Sequence, residues 1–428
     1  MKALAQYIHT RTAHAQWLEW GRLITLTGSA QIAVQAIGLI SGILVIRLLS
    51  TGEYALYTLA NTMLGTMTVL ADGGISSGVM AQGGKVWQDR QKLGAVMATG
   101  LQLRRTFGAV SLVVSVPVLF YLLHQHGADW LTAGLIVAAL IPAFLAGLTG
   151  ELLKVAPSLR QDIPVLQKNN VAVNLGRLAL LLPGLLVFPF ASVAILAAGI
   201  PQVFGNTHIK KISEGYADWR QASDPELRKQ ILKFVQRILP GSIYYCLSGQ
   251  ITIWLISLLG TTTAVAQIGA LGRLAVVLTL INTVFGTLIA PRFARLDNQK
   301  GLLVGAYIKI HVALVAICLV IVGFVWLFQT QILWLLGSEY MGLGHELVLN
   351  TIGSCIGLIA GISFRIYTSR GWAIAPVLSI PINFLSILIG VYAIDLSTLA
   401  GVLYFNIFIS VVQAIINGSY GMIKVLKS

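Results

Sequence analysis

The fold class read from the sequence is all-α: a polytopic membrane protein of twelve transmembrane helices, in two six-helix lobes around a central cavity. Three observations predict it. Only 10% of the 428 residues are charged while 56% are apolar, a composition too poor in polar groups for a soluble surface but suited to lipid. Apolar runs of about 20 residues, each ~30 Å long as a helix, recur twelve times. The net charge of +14 gathers in every second gap between those runs.

In chain order the runs lie near 23–46, 54–82, 94–122, 130–155, 165–186, 188–209, 231–258, 263–291, 302–328, 346–370, 372–393 and 397–422. The amino-terminal segment carries Lys2, Arg11 and Arg22, and the second gap Lys85, Arg90 and Lys92, with Arg104 and Arg105 just beyond. Lys154, Arg160 and Lys168 fill the fourth gap, and Lys210, Lys211, Arg220, Arg228 and Lys229 the sixth. Arg292, Arg295 and Lys300 follow in the eighth, Arg370 in the tenth, and Lys424 and Lys427 in the tail. Odd-numbered gaps hold Glu53, Asp129, Glu339 and Asp395 but almost no Lys or Arg beyond Arg47. Because short cytoplasmic loops retain Lys and Arg, both termini are predicted cytoplasmic and the chain is assigned to the inner (plasma) membrane. No stretch is long or polar enough to be a basic soluble domain, so nucleic acid is not expected as a partner.

The first 21 residues show no secretory signal pattern and read either as a short amphipathic helix on the inner leaflet or as a disordered tail. Cys246, Cys318 and Cys355 fall singly in three apolar segments without CxxC spacing, and are read as small core residues. The one sizeable polar stretch, 208–230, separates six runs from six. It divides the chain into a segment at 1–21, a lobe at 22–207, a cytoplasmic linker at 208–230 and a second lobe at 231–428. Two halves starting from the same side imply a parallel duplication; at an offset of 210 residues, Leu48, Leu49, Thr51, Ala60 and Leu70 match Leu258, Leu259, Thr261, Ala270 and Leu280.

The stretch IRLLSTGEYALYTLANTMLGTMTVLADGG, from Ile46 to Gly74, resembles the start of the polysaccharide transporter family. That family includes the O-antigen flippases and lies within the multidrug/oligosaccharidyl-lipid/polysaccharide (MOP) superfamily of MATE-like exporters. In the second half, Ala270–Leu274 resembles the family's A-x-R-L in helix eight, Ala290-Pro-Arg-Phe293 the proline that ends it, and Leu336–Tyr340 the G-x-E-Y turn before helix ten. Where the family has an acidic-Gly-x-Tyr turn before helix eight, this chain reads TTTAVAQIGAL, so contacts of that turn are not carried over. The resemblance implies a MATE-like fold and a substrate bearing a polyprenyl diphosphate, flipped for surface polysaccharide or lipopolysaccharide assembly. A polysaccharide polymerase and a chain-length regulator would be its protein partners. Independently of family, Gly52 lets the chain turn at the outer surface, while Tyr54 and Tyr57 are expected at the interface with polar tips toward water.

A cation in hydrocarbon costs roughly 2.5–3.5 kcal/mol on insertion scales, so intramembrane charges are expected to face a cavity or a partner. Arg177 in helix five, Arg273 in helix eight and Arg365 in helix ten are the candidate substrate-binding residues, with Arg47, at the end of helix one, either a fourth or a snorkelling residue. Lys309 and Arg237 lie near enough to the inner face to snorkel. Asp72, the one acid well inside a helix, is the candidate ion-coupling residue; Gly73 and Gly74 beside it allow a close approach or a local break, so a helix-pairing role stands as the alternative. Two or three Arg against one Asp favour an anionic cargo, since the guanidinium fork matches phosphate oxygens. An ion-coupled multidrug exporter of the same superfold is the competing reading.

An enzyme is not expected. No Walker sequence, nucleophile elbow or HExxH occurs, and no cofactor is implied. The outer loop 329–345 is short and apolar, unlike the large loops of polysaccharide polymerases. His124 and His126 are read as residues of a solvated outer loop rather than as metal ligands.

Overall fold

The computed structural model describes residues 28–285, 289, 292, 293, 296, 299–370, 372, 374 and 376–427, with backbone alone at 237, 238, 240–242, 244–249, 276, 277 and 376–378. The amino-terminal leader and the side chains of Cys246 and Arg237 lie outside the described residues. Every predicted run has a helical counterpart, and no strand occurs among the described residues. Among the described residues, seven helices are long and apolar enough to cross a bilayer: Gly28–Leu48, Arg90–Gln125, Trp130–Leu159, Ile163–Val187, Lys300–Leu327, Gly344–Thr368 and Leu399–Lys427. Thr51–Asp72, Ala191–Tyr216, Pro225–Leu259 and Pro376–Ala393 are the helices of four further runs. Thr262–Leu274 and Val276–Val284 share the eighth. Helices are the natural form here, because each satisfies its own backbone groups where water is absent. Side chains such as Val113, Leu319 and Val320, each about 70% exposed, turn outward as lipid-facing residues do.

The chain forms two compact units. One contains Met63–Val118 and Gly134–Ile243 with the described residues up to Ser41; the other contains Gly42–Thr62, Leu119–Ala133 and the chain from Tyr244 onward.

In the first unit, the run expected as one helix over 54–82 is broken. Gly73 and Gly74 take φ values of 47° and 92°, which glycine alone adopts without strain, and a new helix runs Ile75–Gly83. The stretch 208–230 is helix as far as Tyr216, a turn, and helix again from Pro225. Asp224 caps the second helix through the backbone N–H of Glu226, 2.8 Å away, with Pro225 at its first position. The intervening turn is fastened to the base of Arg90–Gln125: Asp218 N–H donates to the Arg90 carbonyl (2.9 Å) and Asp224 N–H to the Thr99 hydroxyl (2.9 Å). The Gln221 amide and Arg220 N–H donate to the Asp218 carboxylate and hold its pKa below the ordinary value. Ala217, Ile231 and Val235 add the linker to an apolar cluster with Ile75, Val79, Leu93, Met97 and Leu152.

In the second unit, Lys300–Leu327, Gly344–Thr368 and Leu399–Lys427 pack around Leu303, Leu314, Leu358, Ile362 and Val425. Cys318 and Cys355 are buried in this cluster, the Cys318 thiol pointing at the Cys355 carbonyl at 3.7 Å. Glycine permits the closest approaches, as where a Cβ on Gly421 would strike the Tyr307 ring. Tyr54 and Tyr57, expected at the interface, are instead buried at 0% and 2% exposure with their rings 6.0 Å apart. Packing inside the unit replaces the wet environment their polar tips suggested. The loop 329–345 contains a helix, Gln329–Leu336, and a single 3₁₀ turn, Ser338–Tyr340.

Candidate substrate and coupling residues

Asp72 ends its helix, and the break behind it determines its surroundings. Its carboxylate accepts from the backbone N–H (3.2 Å) and the hydroxyl of Ser76, so it caps the helix that restarts after the glycines. It also forms a salt bridge with Arg104, whose side chain is only 3% exposed. The same guanidinium donates to the Ser76 hydroxyl and the Leu148 carbonyl. Asp72, Arg104, Ser76 and Leu148 therefore tie four helices of the first unit at one point. Sequence reading placed Arg104 with the loop-flanking cations. The available signal was its distance, 14 residues, from the start of its helix at Arg90.

Arg47 is not adrift at a helix end. Its Nε donates to the Leu335 carbonyl at 2.9 Å, its Nη2 donates to the Trp334 carbonyl, and its guanidinium lies 5.1 Å from the Trp334 ring. These are last-turn carbonyls of Gln329–Leu336, which lack partners within their helix and attract a cation. Nearby, Thr51 donates to the Glu339 carboxylate. All three acceptors come from the segment that the sequence presented as a plain apolar loop.

Arg273 lies in the last turn of Thr262–Leu274. Its guanidinium carbon is 5.8 Å from the Tyr57 ring and its Nη2 is 3.4 Å from the Tyr57 hydroxyl, while its stem runs alongside Gly42, in contact distance of where a Cβ there would be. Arg177 is half-buried on Ile163–Val187. The Arg365 side chain is exposed in the last turn of Gly344–Thr368 and has no hydrogen-bond or ion-pair partner among the described residues. Lys309 is exposed, as a snorkelling residue would be.

The outer-loop histidines divide. His124 turns its Nδ1 to the Ala128 carbonyl and lies 5.3 Å from the Trp130 ring. His126, expected in solvent, is 7% exposed. Its Nε2 donates to the Ser257 carbonyl at 2.7 Å and its Nδ1 is 3.1 Å from the Thr262 hydroxyl. A buried imidazole needs partners for both nitrogens, and the helix end at Ser257 with the following helix start at Thr262 supplies them.

No protein-family model and no curated protein matches the chain. Solved structures do. A multidrug resistance MATE family transporter of the MOP superfamily, in an inward-facing conformation, aligns with TM-score 0.72 and 15% identity over 92% of this chain and 95% of that one. The outward-facing conformation of such a transporter aligns with TM-score 0.58 and 17% identity over 95% of each chain. A MOP superfamily transporter from Pyrococcus furiosus, described as having a binding pocket of reverse polarity that suggests a different function, aligns with TM-score 0.59 and 16% identity over 95% of this chain and 96% of that one. The protein is thus a multi-pass membrane protein with the fold of the MATE transporters.

Proposed function

We propose that the protein is an alternating-access transporter that flips a polyprenyl-diphosphate-linked oligosaccharide across the inner membrane for surface polysaccharide or O-antigen assembly. One observation carries the choice of cargo. Among the described residues, the carboxylate well inside the spans, Asp72, is bound to Arg104, whereas the Arg273 guanidinium rests on the Tyr57 ring and hydroxyl and that of Arg365 is exposed, neither paired with an acid. A cationic drug would need a carboxylate that is not already neutralised. A diphosphate is served by guanidinium groups, which can each donate two parallel hydrogen bonds. The pocket polarity described for the Pyrococcus furiosus transporter is a precedent for departure from drug export within this fold. The competing reading, an ion-coupled multidrug exporter, has in its favour the MATE transporter with the TM-score of 0.72.

The test is complementation of a flippase-deficient strain, scored as surface polysaccharide per membrane-inserted protein. Alanine at Arg177, Arg273 or Arg365 is expected to lower export about tenfold, the equivalent of one charge-assisted hydrogen bond. Lysine, which keeps the charge and loses the fork, should lower it less. Normal export by all three alanine variants would overturn the anionic-cargo reading in favour of the exporter.

The proposed orientation has its own check. Reporter fusions at 85–90, 215–225 and the carboxyl tail should read cytoplasmic, and fusions at 126–129 and 338–342 periplasmic. An inner site reading outside would break the twelve-helix map.

A further inference from the structure

His311 stands 11 residues into Lys300–Leu327, about 16 Å along the helix axis from its first residue. It is half-buried against Gly344–Thr368. Its Nδ1 is 2.9 Å from the Tyr307 carbonyl, which can only accept, so Nδ1 carries a proton. Its Nε2 is 2.9 Å from the hydroxyl of Ser363, a side chain with no exposed surface. That hydroxyl has a single proton, and it also stands 2.7 Å from the Ile359 carbonyl. Two arrangements satisfy this geometry. With the Ser363 proton on Ile359, Nε2 must donate and the ring is an imidazolium. With the Ser363 proton turned onto Nε2, the ring is neutral. Rotation of one hydroxyl therefore matches the site to either charge state without moving a heavy atom.

The surroundings make the two states unequal. Around the ring, Tyr307 stacks at 4.1 Å between centroids and reaches Leu399–Lys427 through the Gly418 carbonyl, 2.9 Å from its hydroxyl. The titratable and charged groups on the helices packed here are Lys300, Tyr307, Lys309 and Cys318; His345, Glu346, Cys355, Arg365 and Tyr367; and Tyr404, Tyr420, Lys424 and Lys427. Val276–Val284, which also packs against Gly344–Thr368, contributes none. The one carboxylate on these helices, Glu346, is 17 residues from Ser363, about 25 Å along the helix. An imidazolium would thus sit in an apolar three-helix core with no carboxylate of these helices near it, a costly placement.

We propose that His311 is a proton-binding site whose occupancy shifts the packing of Lys300–Leu327 against Gly344–Thr368. The packed arrangement offers a charged ring no carboxylate to pair with, whereas an arrangement that admits water to the ring solvates the charge, so proton binding moves the population toward the opened pair. This assigns proton binding to the second unit, while Asp72 is occupied by Arg104. It depends on the fold and not on the cargo, so failure of the arginine variants would leave it standing.

The experiment uses the full chain in lipid nanodiscs. Nitrogen NMR of ¹⁵N-histidine protein, with the His311 signal identified by its loss in His311→Gln, should pass from one protonated ring nitrogen to two between pH 8.5 and 5. Spin labels at Leu319 and Phe364, both exposed, in a background lacking the native cysteines, should move apart by about 2 Å or more over the same pH interval. His311→Gln, which keeps a hydrogen-bonding side chain but cannot gain the charge, should hold the high-pH distance throughout. A ring that keeps one protonation state over the whole range overturns the proton site. Titration without a change in distance, or an equal change in His311→Gln, overturns its link to the helices.

Discussion

Replacing Arg104 with alanine is expected to remove most of the folded protein from the membrane. The change strands the Asp72 carboxylate and leaves the Leu148 carbonyl without its donor. Losing one partner of a buried pair costs about 3–5 kcal/mol; Asp72 retains some exposure and its Ser76 bonds, so the lower end applies. At that cost the ratio of folded to unfolded protein falls about a hundredfold, and the enlarged unfolded pool is cleared by proteases. Asp72→Asn alone should also destabilise, because Arg104, only 3% exposed, is left without its counter-charge even though the amide oxygen can still cap Ser76. The double variant Asp72→Asn, Arg104→Gln should recover much of what the alanine loses, since no charge is then left unmatched. Membrane-inserted protein, scored by fluorescence-detected gel filtration in detergent, reads all three. Cargo transport at normal levels by Asp72→Asn would make Asp72 a packing residue; loss of gradient-driven transport at normal protein level would restore it as a coupling residue. Failure of the double variant to recover would show that Arg104 works mainly through Leu148.

The second large effect is expected at Gly94. A Cβ there would fall on the backbone carbonyl of Asp218, and backbone cannot step aside as a side-chain tip can. Gly94→Val should force the 217–224 turn off the base of the Arg90–Gln125 helix, at a cost of about 1–3 kcal/mol or more. The turn would lose the Asp218 and Asp224 backbone bonds together. Trypsin added to inside-out vesicles should then cut after Arg220 at least tenfold faster than in the wild type. Gly215→Ala, where a Cβ meets nothing within 4 Å, is the control and should cut at the wild-type rate. Equal rates for all three proteins would mean that the linker is not held by this contact.

Those two sites mark how far the sequence could be read. The spans were legible because each run carries its own signal: about twenty apolar residues need no partner to declare that they belong in lipid. The linker at 208–230 was legible as polar, but its docking was not, since Gly94 and Asp218 are 124 residues apart and a lone glycine announces no contact. Asp72 was found because an acid in an apolar run is rare. Arg104 was missed because an Arg-Arg pair fits the pattern of a cytoplasmic flank equally well. His311 gave no sequence signal at all, for its interest lies in a serine 52 residues away.

The chain by itself determined that it is helical, that it lives in a membrane, roughly where its apolar runs lie, and that its intramembrane charge is mainly cationic. Those properties are local, set by the solvent each segment requires. Only the tertiary structure decided which charges are spent on one another: Asp72 on Arg104, Arg47 on the last carbonyls of a short helix, Tyr54 and Tyr57 on burial rather than the interface. Pairing depends on distance in space: hydrogen bonds are lost within about an ångström of the wrong geometry, and Coulomb attraction weakens as charges separate. No pattern of residues along the chain carries that distance.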